Sequence, residues 1–219
     1  MPVITVSRQF GAGGAAVGRL LARRFEAEYL DRDVVFEAAR RAGIPEAIAH
    51  ELDERTPGWV TRLGMAFVAA YPEAITPDTA GEAAVPGDED RVARLTRDVI
   101  VEAADRGNAI VVGRGGAFVL SDRPAVLHVQ LVASLEARVR YCRMRVEELD
   151  VPEPPDDASL ARLCQRVDAA RSEYLRRHFG VDWRDPSHYH LVLDTGRLGL
   201  EATAALVAAA AERVSDQPA

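Results

Sequence analysis

Apolar positions along this chain alternate between short unbroken runs and stripes spaced for a helix. Val3-Ile4-Thr5-Val6 predicts a short buried strand, and Val17, Leu20, Leu21 and Phe25 predict the helix that follows it. Tyr29-Leu30 predicts a second strand ending at Asp31, after which weakly patterned helices run to about Tyr71. The stretch Pro72 to Asp90, rich in proline, glycine, acids and alanine, reads as a mobile loop. Val92, Leu95, Val99 and Ala103 form a helical stripe leading into Ala109-Ile110-Val111-Val112, a buried strand that ends on Gly113-Arg114-Gly115-Gly116. Val126 to Leu131 predicts another strand, followed by a helix striped by Leu135, Val139, Cys142, Val146 and Leu149. Beyond the turn-rich residues Asp150 to Asp156, a helix through Leu160, Leu163, Val167 and Tyr174 precedes the strand His190 to Leu193 and a terminal helix from about Leu200. Five strands alternating with helices predict a parallel sheet covered on both faces, an α/β three-layer sandwich.

Composition narrows the function classes. With 219 residues, 48% of them hydrophobic, the chain fits one well-buried domain over residues 1–214 and a short tail at 215–219. A net charge of −7 speaks against a general binder of nucleic-acid polymers, which needs a basic face. All 27 basic residues are arginine, so the chain has no lysine at all. Cys142 and Cys164 are too few for a disulfide framework or a zinc site and are expected to pack as small apolar groups in a reducing compartment. The start, Met1 to Val6, lacks the pattern of a signal peptide, and no apolar run reaches membrane-spanning length, so a cytoplasmic address without membrane partners is expected. His188-x-His190 places two rings on one face of a strand without a third ligand, and no metal site is expected from the five histidines. Trp183 reads as a packing anchor ahead of the last strand.

The chemistry is expected in the first strand-to-helix turn, Ser7-Arg8-Gln9-Phe10-Gly11-Ala12-Gly13-Gly14-Ala15-Ala16. Backbone N–H groups at a helix start attract anions whatever the side chains are, so Gly11 to Ala16 is a candidate phosphate cradle. A P-loop of the usual kind adds a lysine for the transferring phosphate and a hydroxyl for magnesium. Here Gly14 stands at the lysine position, and Ala15 and Ala16 leave no hydroxyl. Gly11-x-Gly13-x-x-Ala16, with Asp31 twenty residues past Gly11, also satisfies the Rossmann dinucleotide fingerprint. The four residues Ser7 to Phe10 between strand and glycines favour the wider phosphate loop. A glycine turn that only lets helix and strand pack closely is the third reading.

These residues resemble the cytidylate kinase-like proteins, a branch of the P-loop nucleoside monophosphate kinases. Ordinary cytidylate kinases read Gly-Ala-Gly-Lys-Gly-Thr where Gly11 to Ala16 stand, and the cytidylate kinase-like branch tends to open with Ser-Arg-Gln-aromatic-Gly-x-Gly-Gly, as Ser7 to Gly14 do. The resemblance implies a five-stranded parallel sheet, a helical acceptor-binding insertion near 32–90 with its loop at 72–90, and a lid near 150–187. It implies transfer of the γ-phosphate of MgATP to CMP or dCMP, with nucleoside mono- and triphosphates as partners. Gly11, Ala12, Gly13, Gly14, Ala15 and Ala16 would then hold the donor. Asp31, Arg114, Arg138, Asp168 and Arg171 are similar to acceptor-binding positions, with Gly115 replacing the aspartate of a Gly-Arg-Asp segment. Arg8, and Arg171 swinging in from the lid, are the expected catalytic cations, since an arginine fork grips phosphate oxygens in pairs. From spacing alone, Asp168 and Arg171 read as a surface ion pair and Arg138 as part of a solvated basic face. Two alternatives stay open: a nucleotide-binding sensor or interaction protein on the same fold, and a dinucleotide-dependent enzyme. Oligomeric state is not legible.

Overall fold

The computed structural model describes residues 2–31, 88–148 and 155–215. Most of the expected insertion at 32–90, the first part of the expected lid and the end of the tail lie outside the described residues; positions 88–90 of the expected loop open a helix. The strands are β1 (Val3–Arg8), β2 (Glu28–Leu30), β3 (Ala109–Val112), β4 (Val126–Val132) and β5 (Leu191–Asp194). The helices are α1 (Gly14–Phe25), α2 (Asp88–Arg106), α3 (Gly116–Val119), α4 (Leu135–Glu148), α5 (Asp157–Phe179), α6 (Thr195–Leu198) and α7 (Leu200–Ser215).

One sheet results, in the order β2-β3-β1-β4-β5, with every neighbouring pair parallel. Because side chains alternate across a strand, Ile4, Val6, Ile110, Val112, Val129 and Leu131 face one side and pack with Val17, Leu21, Val207 and Ala208 of α1 and α7. Val3, Ala109, Val111 and Val126 face the other side and pack with Ile100 and Ala103 of α2. Burial on both faces is why these strands are nearly continuous apolar runs. A third apolar cluster joins α4 to α5 through Val139, Cys142, Val146, Leu160, Cys164 and Val167, and it takes in Phe10 from the loop after β1. Both cysteines are free and buried there.

The order of strands decides between the two loop readings. A Rossmann sheet sets β2 beside β1, whereas here β3 lies between them. Asp31, at the end of β2, is therefore a whole strand further from the glycine loop than a dinucleotide site requires. Loop width, the criterion used on the sequence, decides less: β1 continues through Ser7 and Arg8, which pair with Gln130 and Leu131 of β4. Parallel strands bring the residues after β1, β2, β3 and β4 to one edge of the sheet, the side on which open α/β folds bind ligands. No helix among the described residues is long and apolar enough to cross a membrane.

Candidate functional site

The turn from β1 to α1 runs through Gly11 and Gly13, both left-handed at φ 77° and 71°. Gly11 is also forced by space, since a Cβ there would lie 2.9 Å from the Arg138 carbonyl oxygen and 3.0 Å from Cys142 Sγ. Within Gly11 to Ala16, the Ala12 N–H donates to the Gln9 carbonyl at 3.1 Å. No described residue accepts from the N–H of Gly11, Gly13, Gly14, Ala15 or Ala16. Helix α1 begins without a side-chain cap. Five N–H groups at the positive end of a helix dipole are thus without an acceptor among the described residues, a donor set of the kind that binds a phosphate group.

Arg8 lies across this loop, 6% exposed. A Cβ at position 14 would stand 2.6 Å from Arg8 Cγ, so the Arg8 stem fills the space where a lysine at that position would begin. Its guanidinium reaches the turn after β3, and a side chain at Gly113 would overlap Nη1. That turn holds Gly113, Arg114 and Gly115 consecutively in left-handed conformation, at φ 77°, 57° and 67°. For an arginine this conformation costs about 1–2 kcal/mol, the kind of strain that accumulates at ligand sites. Gly115, where the resembling segment has aspartate, has no room for a side chain: a Cβ would sit 2.7 Å from the Phe179 ring of α5. A narrow cleft lined by Ser7, Arg8, Arg114, Arg171, Tyr174 and Leu175 results. Three of the expected arginines therefore share one cleft.

Arg138, Asp168 and part of Arg171 play against the loop's underside. Asp168 Oδ1 accepts from the Phe10 N–H at 2.9 Å and from Arg171 Nη1 at 3.0 Å, while Oδ2 accepts from Arg138 Nη1 at 2.6 Å. Arg138 Nη1 also donates to the Phe10 carbonyl, 3.2 Å, and Arg171 Nη1 to the Arg8 carbonyl, 2.7 Å. All three side chains are buried, at 7%, 6% and 3% exposure for Arg138, Asp168 and Arg171. This corrects two readings from spacing: Asp168 and Arg171 are not a surface pair, and Arg138 is not on a solvated face. Both were hidden because the partner atoms are backbone groups of the loop, more than a hundred residues away in sequence. Arg171 lies on α5, one continuous helix whose inner face holds the loop through Asp168 and Arg171. Its guanidinium lies over the Trp183 ring, 5.3 Å from the centroid. Trp183 is the expected packing anchor, 1% exposed, and its carbonyl accepts from Gln130 Nε2 and the Tyr189 hydroxyl.

Asp31 lies just past the end of β2, half-buried. Burial first, then the Asp31 carboxylate, push the Tyr29 hydroxyl up from its ordinary range, while Arg19 and Arg8 pull it down, so Asp31 and Arg8 share one electrostatic neighbourhood. Several residues that shape the site escaped sequence reasoning. Gln9 Oε1 accepts the Ala133 N–H at 3.0 Å, and Thr195 Oγ1 donates to the Ala12 carbonyl at 3.0 Å. Phe10 carried a readable signal, an aromatic inside a glycine loop, and it is the loop's anchor in the core, 1% exposed. The expected histidine pair divides differently: His188 lies in a short 3-10 turn, and the His190 ring stacks on His128, centroids 5.1 Å apart. Among the described residues no three His, Cys, Asp or Glu side chains cluster as metal ligands.

Comparison with known proteins agrees with this layout. The model of the cytidylate kinase-like family matches residues 3–197. A cytidylate kinase of Rhodococcus opacus (strain B4) is 25% identical over 217 residues, covering 91% of this chain and 90% of that protein. Among solved structures, an uncharacterized protein from Eubacterium ventriosum ATCC 27560 aligns with a TM-score of 0.63 at 15% identity, covering 99% of this chain and 100% of the other. A shikimate kinase from Bacteroides thetaiotaomicron aligns with a TM-score of 0.52 at 14% identity, covering 96% and 98%. A gluconokinase from Sinorhizobium meliloti 1021 gives 0.50 at 14% identity, covering 97% and 95%. These structures share the α/β fold with its five-stranded parallel sheet.

Proposed function

The chain belongs to the cytidylate kinase-like family, and from that premise we propose that it is a nucleoside monophosphate kinase, transferring the γ-phosphoryl group of MgATP to CMP or dCMP. The observation that supports this reading is the cleft shared by Arg8, Arg114 and Arg171, with the Arg8 stem packed against Gly14 of a loop whose five N–H groups have no acceptor among the described residues. Phosphoryl transfer asks little covalent work of a protein; it asks for alignment of two phosphates and neutralisation of the charge between them.

Each residue then has a part. The N–H groups of Gly11, Gly13, Gly14, Ala15 and Ala16 hold the donor phosphates. Arg8, whose stem takes the space of a loop lysine, brings its guanidinium to the phosphoryl group in transit. Arg114 and Arg171 grip the acceptor phosphate, and Asp31 faces the acceptor nucleoside. Arg138 and Asp168 are positioning residues that fix Phe10 and hence the loop. Magnesium, when bound, neutralises the donor phosphates; the scattered acids of the described residues fit an ion held mainly by phosphate oxygens and water.

Purified protein given CMP and MgATP is expected to form CDP and ADP, and Arg8→Ala to lower turnover by about 100-fold or more, the scale of losing one transition-state contact. The absence of a lysine and hydroxyl at Gly14, Ala15 and Ala16 favours a second reading, a nucleotide sensor. Binding of CMP with no transfer to any monophosphate from ATP or GTP would establish that reading instead.

A further inference from the structure

A second, wider cleft opens beside the first. It is lined by Ala93, Arg94, Arg97, Arg114, Val119, Tyr174, His178 and Phe179, between α2 on one side and the C-terminal half of α5 on the other. Arg114 and Tyr174 line both clefts, so the two form one trough. Its inner end holds Arg8, Arg114 and Arg171; its outer end adds Arg94 and Arg97, three positions apart and thus on one face of α2.

Charge and placement single out these outer arginines. The chain carries a net charge of −7, yet five guanidinium groups line this one trough. Further along the same helix Arg106 is tied to Glu102 and Glu28, and elsewhere Arg24, Arg123, Arg140 and Arg176 are each paired with an acid. Arg94 and Arg97 form no ion pair with any described residue, which is equally true of Arg23, Arg166 and Arg213, so it is their place in the lining of the trough that sets them apart. The opposite wall is aromatic: the Tyr174 and His178 rings lie 4.5 Å apart, and Phe179 packs on Phe118 at 5.7 Å. Such a wall supports the body of a small molecule while cations at both ends hold its charged groups.

We propose that the trough binds an acceptor with two anionic groups, one seated at Arg8, Arg114 and Arg171 and a second, a phosphate or carboxylate, at Arg94 and Arg97. The ligand class is a doubly anionic phosphoryl acceptor rather than a simple nucleoside monophosphate. This rests on the kinase reading for the inner end of the trough and adds a specificity-determining outer subsite that the reading does not require.

The test is calorimetric titration of wild type and of Arg94→Gln/Arg97→Gln with CMP, with cytidine 3′,5′-bisphosphate and with inorganic pyrophosphate. The bisphosphate is expected to bind wild type at least about tenfold tighter than CMP, and the ratio of the two affinities to fall to about one in the double variant, the loss of about one charge-assisted contact. Both substituted side chains are exposed, so an unchanged unfolding midpoint marks an intact fold. Equal affinity of wild type for CMP and the bisphosphate overturns the outer subsite and leaves the kinase reading standing. If neither nucleotide binds, the nucleotide reading fails, and pyrophosphate alone decides the subsite: weakening by about tenfold in the double variant upholds it, and unchanged binding overturns it.

Discussion

Arg8 and Gly14 behave as one unit. The stem of the first occupies the volume that a side chain at the second would need, with Cγ 2.6 Å from a Cβ at position 14. Cγ is near the backbone and cannot swing aside cheaply. Restoring the lysine alone, Gly14→Lys, is therefore expected to lower the unfolding midpoint and any CMP phosphorylation together. Gly14→Lys combined with Arg8→Ala should regain both, because the cation is then supplied from the other wall. Unimpaired stability and higher turnover in Gly14→Lys alone would sink the idea. Gly115 and Phe179 show the same logic, an absent side chain matched by a neighbour that fills its place. The glycines, Arg8 and Arg114 were legible in the sequence because they adjoin predicted strands, and strand ends are where ligand groups collect. What each glycine makes room for was not legible, since Arg8 Nη1 against Gly113 and Phe179 against Gly115 are contacts set by the folded packing.

Helix α5 is the element that holds the loop. Its Asp168 carboxylate is shared among the Phe10 N–H, Arg138 and Arg171, all away from water. Asp168→Asn keeps the shape but leaves two buried guanidinium groups without their carboxylate, which costs about 3–5 kcal/mol when a buried pair is broken. Urea unfolding should show that loss, and nucleotide binding should weaken with it as the loop loosens. A cost below about 1 kcal/mol, the range of an exposed pair, would mean that water reaches the triad. The sequence foretold this helix and its apolar stripe; it did not foretell that two charged residues at positions 168 and 171 belong to the buried face, because periodicity reads only apolar residues as inward. Strands β4 and β5 carry a titrating element of their own. The His128 N–H donates to His190 Nδ1 at 2.9 Å, and His128 Nδ1 lies 2.8 Å from Thr5 Oγ1. Burial first, and the neighbouring His190 second, push His128 down to about 4 from an ordinary 6.5. The unfolded chain then binds a proton that the folded chain refuses between these two values, so stability is full above pH 6.5 and falls as pH drops towards about 4. Asp156 and Asp185 are held below 3.8 by their Ser159 and Ser187 contacts, so their contributions fade only in more acid solution. Unfolding midpoints between pH 6.5 and 4.5 should decline in wild type and run flatter in His128→Gln; parallel slopes would remove His128 from the account.

At the scale of the whole molecule, sheet order governs which ligand the glycine loop can serve. Pattern and composition were enough for five parallel strands with helices on both faces, but not for the position of β3 between β1 and β2, because short apolar runs do not reveal their neighbours. Strands stand about 4.8 Å apart, so the acid at the end of β2 lies about 10 Å to the side of β1 rather than beside it. A dinucleotide whose pyrophosphate sat on Gly11 to Ala16 would leave its ribose short of Asp31, whereas the proposed kinase reading asks only for a donor on the loop and an acceptor beside Arg114, just past the intervening strand β3. ATP and CMP are thus expected to raise the unfolding midpoint, and NAD and NADP to leave it unmoved. At a ligand concentration about 100 times its dissociation constant, binding adds about 2.7 kcal/mol to stability. Because five arginines line the trough of a chain whose net charge is −7, the CMP effect should also shrink as sodium chloride rises from about 50 to about 500 mM, where screening shortens the reach of those cations. A midpoint raised by NAD at micromolar concentration and indifferent to CMP would show that the loop serves a dinucleotide in spite of the strand order.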